Sequence, residues 1–134
     1  MEDKAKILLV DDDPDFVEMH KAVLENNGYA VVVARSGREG MDKVRTELPD
    51  LIILDLMLEK HDTGFSLSRK IKSDPLFRKI PILMVTSVAE ATGYRFSLRE
   101  DGYWMKTDEF LDKPVEPKLL LSKVGELLRR KKRE

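Results

Sequence analysis

The stretch Ile7–Phe16, "ILLVDDDPDF", runs four apolar residues into Asp11, Asp12 and Asp13 and, past Pro14, into Asp15. A short apolar run bounded by turn formers reads as a buried strand, and Pro14 behind Asp13 has the order of a capped helix start. Carboxylates crowded this closely raise one another's pKa values and repel, so the cluster destabilises the chain unless a cation or solvent relieves it. A positive partner is expected at the end of this strand.

Outward from that stretch the same alternation recurs. Apolar, β-branched runs at Ala5–Val10, Tyr29–Ala34, Leu51–Leu54, Ile80–Val85 and Glu109–Asp112 read as short buried strands. Between them, apolar residues fall at helical spacing: Phe16, His20, Val23 and Leu24, then Met41, Val44 and Leu48, then Phe65, Ser68 and Ile71. Ser36 and Glu39 have the spacing of a capping box, and Pro117 opens a last segment with Leu120, Leu121, Val124, Leu127 and Leu128 on one stripe. Five βα units predict a parallel sheet with helices on both faces, and such sheets bind ligands beyond the carboxyl ends of their strands. The acidic cluster lies at such an end. The stretch from Ala89 to Lys106 has no clear period and reads as a short or irregular helix with a long loop.

With 134 residues and 42% apolar content, one domain with a single core is expected across 1–134, its core at about 5–128 and a basic tail at 129–134. A net charge of −1 with 37% charged residues of both signs offers no global field for nucleic acid or a membrane surface. The absence of cysteine removes disulfides, thiolate nucleophiles and Cys-based zinc sites. No secretory h-region or bilayer-length apolar run is present, so a cytoplasmic location is expected.

Three more residues fall at strand ends: Asp55 after "LIIL", Thr86 after "ILMV" and Lys113 after "FLD". Singly, each has an ordinary explanation as a turn former, cap or solvated side chain. Together with Asp11 and Asp12 they place three acids, a hydroxyl and an ammonium at one edge of the sheet. All-oxygen carboxylate ligands suit a hard, hydrated cation such as Mg²⁺. A carboxylate beside that metal can act as a nucleophile toward phosphorus, with a lysine neutralising phosphoryl charge and a hydroxyl donating to a phosphoryl oxygen.

The motifs "LLVDDD", "LIILDLML", "PILMVTS" and "FLDKP", in this order and spacing across nearly the whole chain, resemble the receiver domain of two-component response regulators. The resemblance implies a flavodoxin-like doubly wound (βα)5 fold with a five-stranded parallel sheet in the order 2-1-3-4-5. It implies Asp55 as phosphoacceptor, with Asp11, Asp12, Asp55 and the backbone carbonyl of Met57 as Mg²⁺ ligands. Thr86 would be the switch hydroxyl, Lys113 the phosphate-binding lysine joined to Pro114 by a cis bond, and Phe110 the aromatic that changes rotamer. The implied reaction is phosphoryl transfer to Asp55 from a sensor histidine kinase or a histidine phosphotransfer protein, with slow self-hydrolysis. The chain would thus be a signalling protein rather than an enzyme, acting through the surface of its fourth helix, fifth strand and fifth helix, with phosphorylation-dependent dimerisation one possible output. No output domain is expected beyond the tail.

The chain departs from the family pattern in two places. Glu59 stands where receivers carry a proline four residues after the phosphoacceptor, and Gly64 comes at nine residues rather than about eight. Glu59, Lys60 and His61 are therefore expected near the pocket rim, with His61 most simply a solvated loop residue and His20 a packed one. From Thr86 to Lys113 there are 27 residues, several more than usual, and the excess carries Tyr94, Tyr103 and Trp104. Met57 and Val88, two residues beyond Asp55 and Thr86, stand at positions that in receivers flank the path of the hydrolytic water, and both are apolar, which predicts a long-lived phosphoryl group.

Other chemistries fit less well. An EF-hand starting at Asp11 fails at its sixth position, Phe16, and at its twelfth, Ala22. A haloacid-dehalogenase-type phosphatase needs a second acid where Met57 stands, and a flavodoxin-like electron carrier needs a phosphate-cradling loop where this chain has acids. A receiver-like interaction module that is not phosphorylated is the remaining alternative. The tail "RRKKRE" complements a helix C-terminus more simply than it contacts nucleic acid.

Overall fold

The computed structural model describes residues 4–56, 63–87 and 109–133. Its elements run β1 (Lys6–Val10), α1 (Pro14–Asn26), β2 (Ala30–Ala34), α2 (Gly37–Glu47), β3 (Leu51–Asp55), α3 (Thr63–Ser73), β4 (Ile82–Ser87), β5 (Glu109–Lys113) and α4 (Pro117–Arg133). The fourth helix expected from the sequence falls between β4 and β5, outside the described residues, so the helix labelled α4 is the one counted fifth above. All strands are parallel, in the order β2-β1-β3-β4-β5. This is the flavodoxin-like doubly wound arrangement.

Local chemistry sets the element ends. The Asp13 carboxylate accepts hydrogen bonds from the Asp15 and Phe16 amides, with Pro14 opening α1 where a missing N–H costs nothing. The Ser36 hydroxyl accepts from Glu39 N at 3.1 Å, and the Glu39 carboxylate accepts from Arg35 N at 2.7 Å. Helix α2 closes on Leu48 in the left-handed region, φ 47°, a conformation that suits glycine.

Strand pleating sorts the core into two layers. Leu8, Val10, Ile52, Leu54, Ile82 and Met84 face Met41, Val44, Leu67 and Ile71 of α2 and α3. Ile7, Leu9, Leu51, Ile53, Leu83 and Val85 face Phe16, Val17 and Leu24 of α1 and Leu120, Val124 and Leu127 of α4. The sheet is thus buried on both sides, as its continuous apolar strands require. Among the described residues no helix is long and apolar enough to cross a membrane.

Six strand bounds differ from the sequence expectation, β1 and β2 each beginning one residue later, at Lys6 and Ala30. β4 begins at Ile82, not Ile80, because Pro81 has no N–H for the ladder; Ile80 instead closes a turn onto the Phe77 carbonyl at 3.0 Å. The strand then runs through Thr86 and Ser87, which pair with Asp112 and Lys113. Asp55 and Lys113 are likewise the last residues of β3 and β5 instead of the first residues past them.

Candidate functional site: an acidic pocket with a lysine

Strands β1 and β3 are neighbours although two helices and another strand separate them in sequence, and β1 lies where the strand order reverses. At that switch point the ends of both strands deliver carboxylates to one crevice. Asp11 is fully buried and Asp55 is 6% exposed, while Asp12 stands at the surface. One carboxylate oxygen from each of Asp11, Asp12 and Asp55 lies within 4.8 Å of the others.

Lys113 arrives from β5 and reaches across β4's end. Its Nζ lies 2.9 Å from Asp11 Oδ2 and 3.4 Å from Asp55 Oδ2. The ammonium also sits 4.5 Å from the ring centroid of Phe16, within reach of the ring quadrupole. The bond from Lys113 to Pro114 is cis.

The two carboxylate oxygens of Asp11 differ in environment. Oδ1 accepts from the Asp13 amide at 2.9 Å. Oδ2 is buried and meets the Lys113 ammonium at 2.9 Å. Burial pushes the Asp11 carboxyl above its ordinary range, and the neighbouring Asp12 charge adds to that, against the pull of Lys113 and of the Asp13 amide. For Lys113, burial acts to lower the ammonium, but Asp11 and Asp55 together outweigh it and hold it above its ordinary range. Three carboxylates, each with an oxygen within 4.8 Å of the others, form an all-oxygen set that fits a Mg²⁺-type cation.

The structure brings together Asp11, Asp12, Asp55 and Lys113. Phe110 is half-buried against the layer of α2 and α3. For Thr86 only the backbone is described, placing it in β4 beside Asp112. Met57, Glu59, Lys60, His61, Val88, Tyr94, Tyr103 and Trp104 lie outside the described residues.

Two contributors to the site carry no local motif. Phe16 belongs to the apolar stripe of α1, and nothing in that stripe indicates which ring meets Lys113. Gly64, near the start of α3, donates its N–H to the Leu56 carbonyl at 3.2 Å. A Cβ at Gly64 would overlap the Asp55 carbonyl oxygen and lie 2.7 Å from Leu56 Cα, so the backbone of α3 abuts the end of β3 directly. The signal was its spacing from Asp55, which the sequence shows without the contact.

The model of the response regulator receiver domain family matches residues 7–125. The chain belongs to that family. It is 36% identical over 125 residues to the alkaline phosphatase synthesis transcriptional regulatory protein PhoP of Bacillus subtilis, a match covering 93% of this chain and 49% of that protein. The chain thus spans about half the length of this relative. Among solved structures it resembles a signal receiver domain of a signal transduction histidine kinase from Syntrophus aciditrophicus, with TM-score 0.83, 34% identity and coverage of 97% of this chain and 94% of that one. A response regulator from Chloroflexus aurantiacus, described as putative, aligns with TM-score 0.81 and 33% identity over 95% of this chain and 99% of that one. Receiver domains bind Mg²⁺ at an acidic pocket and interact with histidine kinases or phosphotransfer proteins.

Proposed function

We propose that this chain is a phosphorylation-dependent switch in a two-component system, with Asp55 as the phosphoacceptor. The observation that carries this reading is the juxtaposition of Asp55 with Asp11, Asp12 and the Lys113 ammonium at the ends of β1, β3 and β5. An Asp55 oxygen attacks the phosphorus of a phosphohistidine, the P–N bond breaks, and the imidazole leaves with its electron pair and is protonated. Lys113, already 3.4 Å from Asp55, stays beside the incoming phosphoryl oxygens and offsets their charge. Asp11, Asp12 and Asp55 would hold Mg²⁺, which when bound neutralises charge on the phosphoryl group. The chain supplies this chemistry itself and turns over no substrate, so it acts as a signalling protein rather than an enzyme.

The added phosphoryl charge then draws Thr86 toward it and lets Phe110 turn inward, altering the surface around β5 and α4 for a downstream protein. The phosphoryl donor is a histidine kinase or a histidine phosphotransfer protein inside the cell. Intact mass after incubation with acetyl phosphate and Mg²⁺ tests the reading. One phosphoryl group is expected on the wild type and none on Asp55→Asn. Mg²⁺ binding with no gain, either from acetyl phosphate or from a cognate kinase, would instead establish a receiver-like interaction module.

A further inference from the structure

Lys113 rests on a stack of two rings from α1. Phe16 and His20 lie one turn apart, with centroids 4.1 Å apart and planes inclined by 29°. The Lys113 ammonium is 4.5 Å from the Phe16 centroid. His20 is 2% exposed, and each of its ring nitrogens faces a backbone carbonyl: Nδ1 at 2.9 Å from Phe16 O and Nε2 at 3.3 Å from Val115 O. A neutral ring donates to one of them and an imidazolium to both.

Val115 is buried two residues beyond Lys113, in the connection from β5 to α4. His20 therefore reaches Lys113 by two routes, through the Phe16 ring and through the backbone at Val115. Packing alone would be met by an aliphatic side chain. A buried imidazole at this point instead costs desolvation unless its N–H is used, and here a carbonyl stands ready to accept it in either tautomer.

We propose that His20 is a positioning residue for Lys113, setting where the ammonium stands between Asp11 and Asp55 by backing Phe16 and tying α1 to the backbone at Val115. The inference rests on the phosphoacceptor reading above and deepens it. Because Lys113 shares Asp11 and Asp55 with any entering cation, its placement governs both the phosphotransfer rate and the affinity of the acidic pocket for Mg²⁺.

The test is a double-mutant cycle on the full chain. The Mg²⁺ Kd is measured by calorimetry for wild type, His20→Leu, Lys113→Met and the double variant, and the initial rate of acetyl phosphate labelling is followed by intact mass. His20→Leu is expected to shift the Mg²⁺ Kd about twofold or more in the wild-type background and not in Lys113→Met, as a coupled pair requires. Labelling is expected to slow about threefold or more, the size of effect a misplaced charge-neutralising group gives. His20→Gln, whose amide reaches as far as Nε2, should recover most of both effects, and His20→Met serves as the cycle partner should His20→Leu not fold. An equal shift in both backgrounds would make His20 a mere packing residue and overturn the proposal, as would no shift in the wild-type background. A wild type that neither binds Mg²⁺ nor gains a phosphoryl group overturns the phosphoacceptor reading itself, a result separate from a working wild type beside an unaffected His20 variant.

Discussion

Lys113 Nζ lies 2.9 Å from Asp11 Oδ2, with the Asp11 side chain fully buried and that of Lys113 18% exposed. The cation demanded by the acidic run of β1 is thus partly supplied by the chain itself, from the far end of the sequence. Lys113→Met should leave the three acids without that counter-charge. Mg²⁺ binding is expected to tighten about threefold or more, since a unit positive charge a few ångströms away is removed. Acetyl phosphate labelling of Asp55 should fall at least about tenfold, within the range lost with one charge-stabilising group. Calorimetry and intact mass read the two effects, and weaker Mg²⁺ binding would contradict the shared use of Asp11.

Stability in the metal-free protein should depend on pH through Asp11. Its carboxyl is raised by burial above its unfolded value, so its contribution is full below the unfolded pKa and is lost as pH rises through the folded one. Urea midpoints in EDTA should therefore decline across that window. Mg²⁺ should reverse the decline at neutral pH, adding about 1.4 kcal/mol at ten times its Kd. Asp11→Asn should remove both the pH slope and most of the Mg²⁺ effect.

Gly64→Ala should destabilise the fold by about 2 kcal/mol or more, as overpacking against backbone does. The added Cβ meets the Asp55 carbonyl and Leu56 Cα, neither of which can rotate away. Denaturant unfolding checks the magnitude. Slower labelling of the folded fraction would show that the displacement reaches the end of β3.

Leu48→Gly is expected to act in the opposite direction. Leu48 is 64% exposed and holds φ 47° at the close of α2, so its side chain buries little and its backbone is strained. A gain of about 0.5–1 kcal/mol is expected, with labelling kinetics unchanged. A loss of stability would mean that Leu48 packing outweighs the strain.

The phosphoryl group on Asp55 should persist for minutes or longer, because Met57 and Val88, the residues that the resemblance to receivers assigns to the path of the hydrolytic water, are apolar. The decay of the labelled mass after removal of acetyl phosphate measures this. A half-life of seconds would show that another group activates that water.

By itself the sequence determined the alternation of strands and helices, the caps at Asp13 and Ser36, and the placing of acids and a lysine at strand ends. These features follow from short-range rules: side-chain period, turn chemistry and the capping of orphan amides. Even there, the two-residue shift of β4 turned on Pro81, whose missing N–H mattered only once a neighbouring strand existed to pair with. Tertiary structure alone decided which charges meet. Lys113 and Asp55 are 58 residues apart, and His20 and Val115 are 95 apart. Such contacts depend on strand register and on which helix covers which face, and no local period encodes either. Likewise only the packing of α3 against β3 shows why residue 64 has no side chain, and only the meeting of α1 with β5 puts the Phe16 ring beside the ammonium.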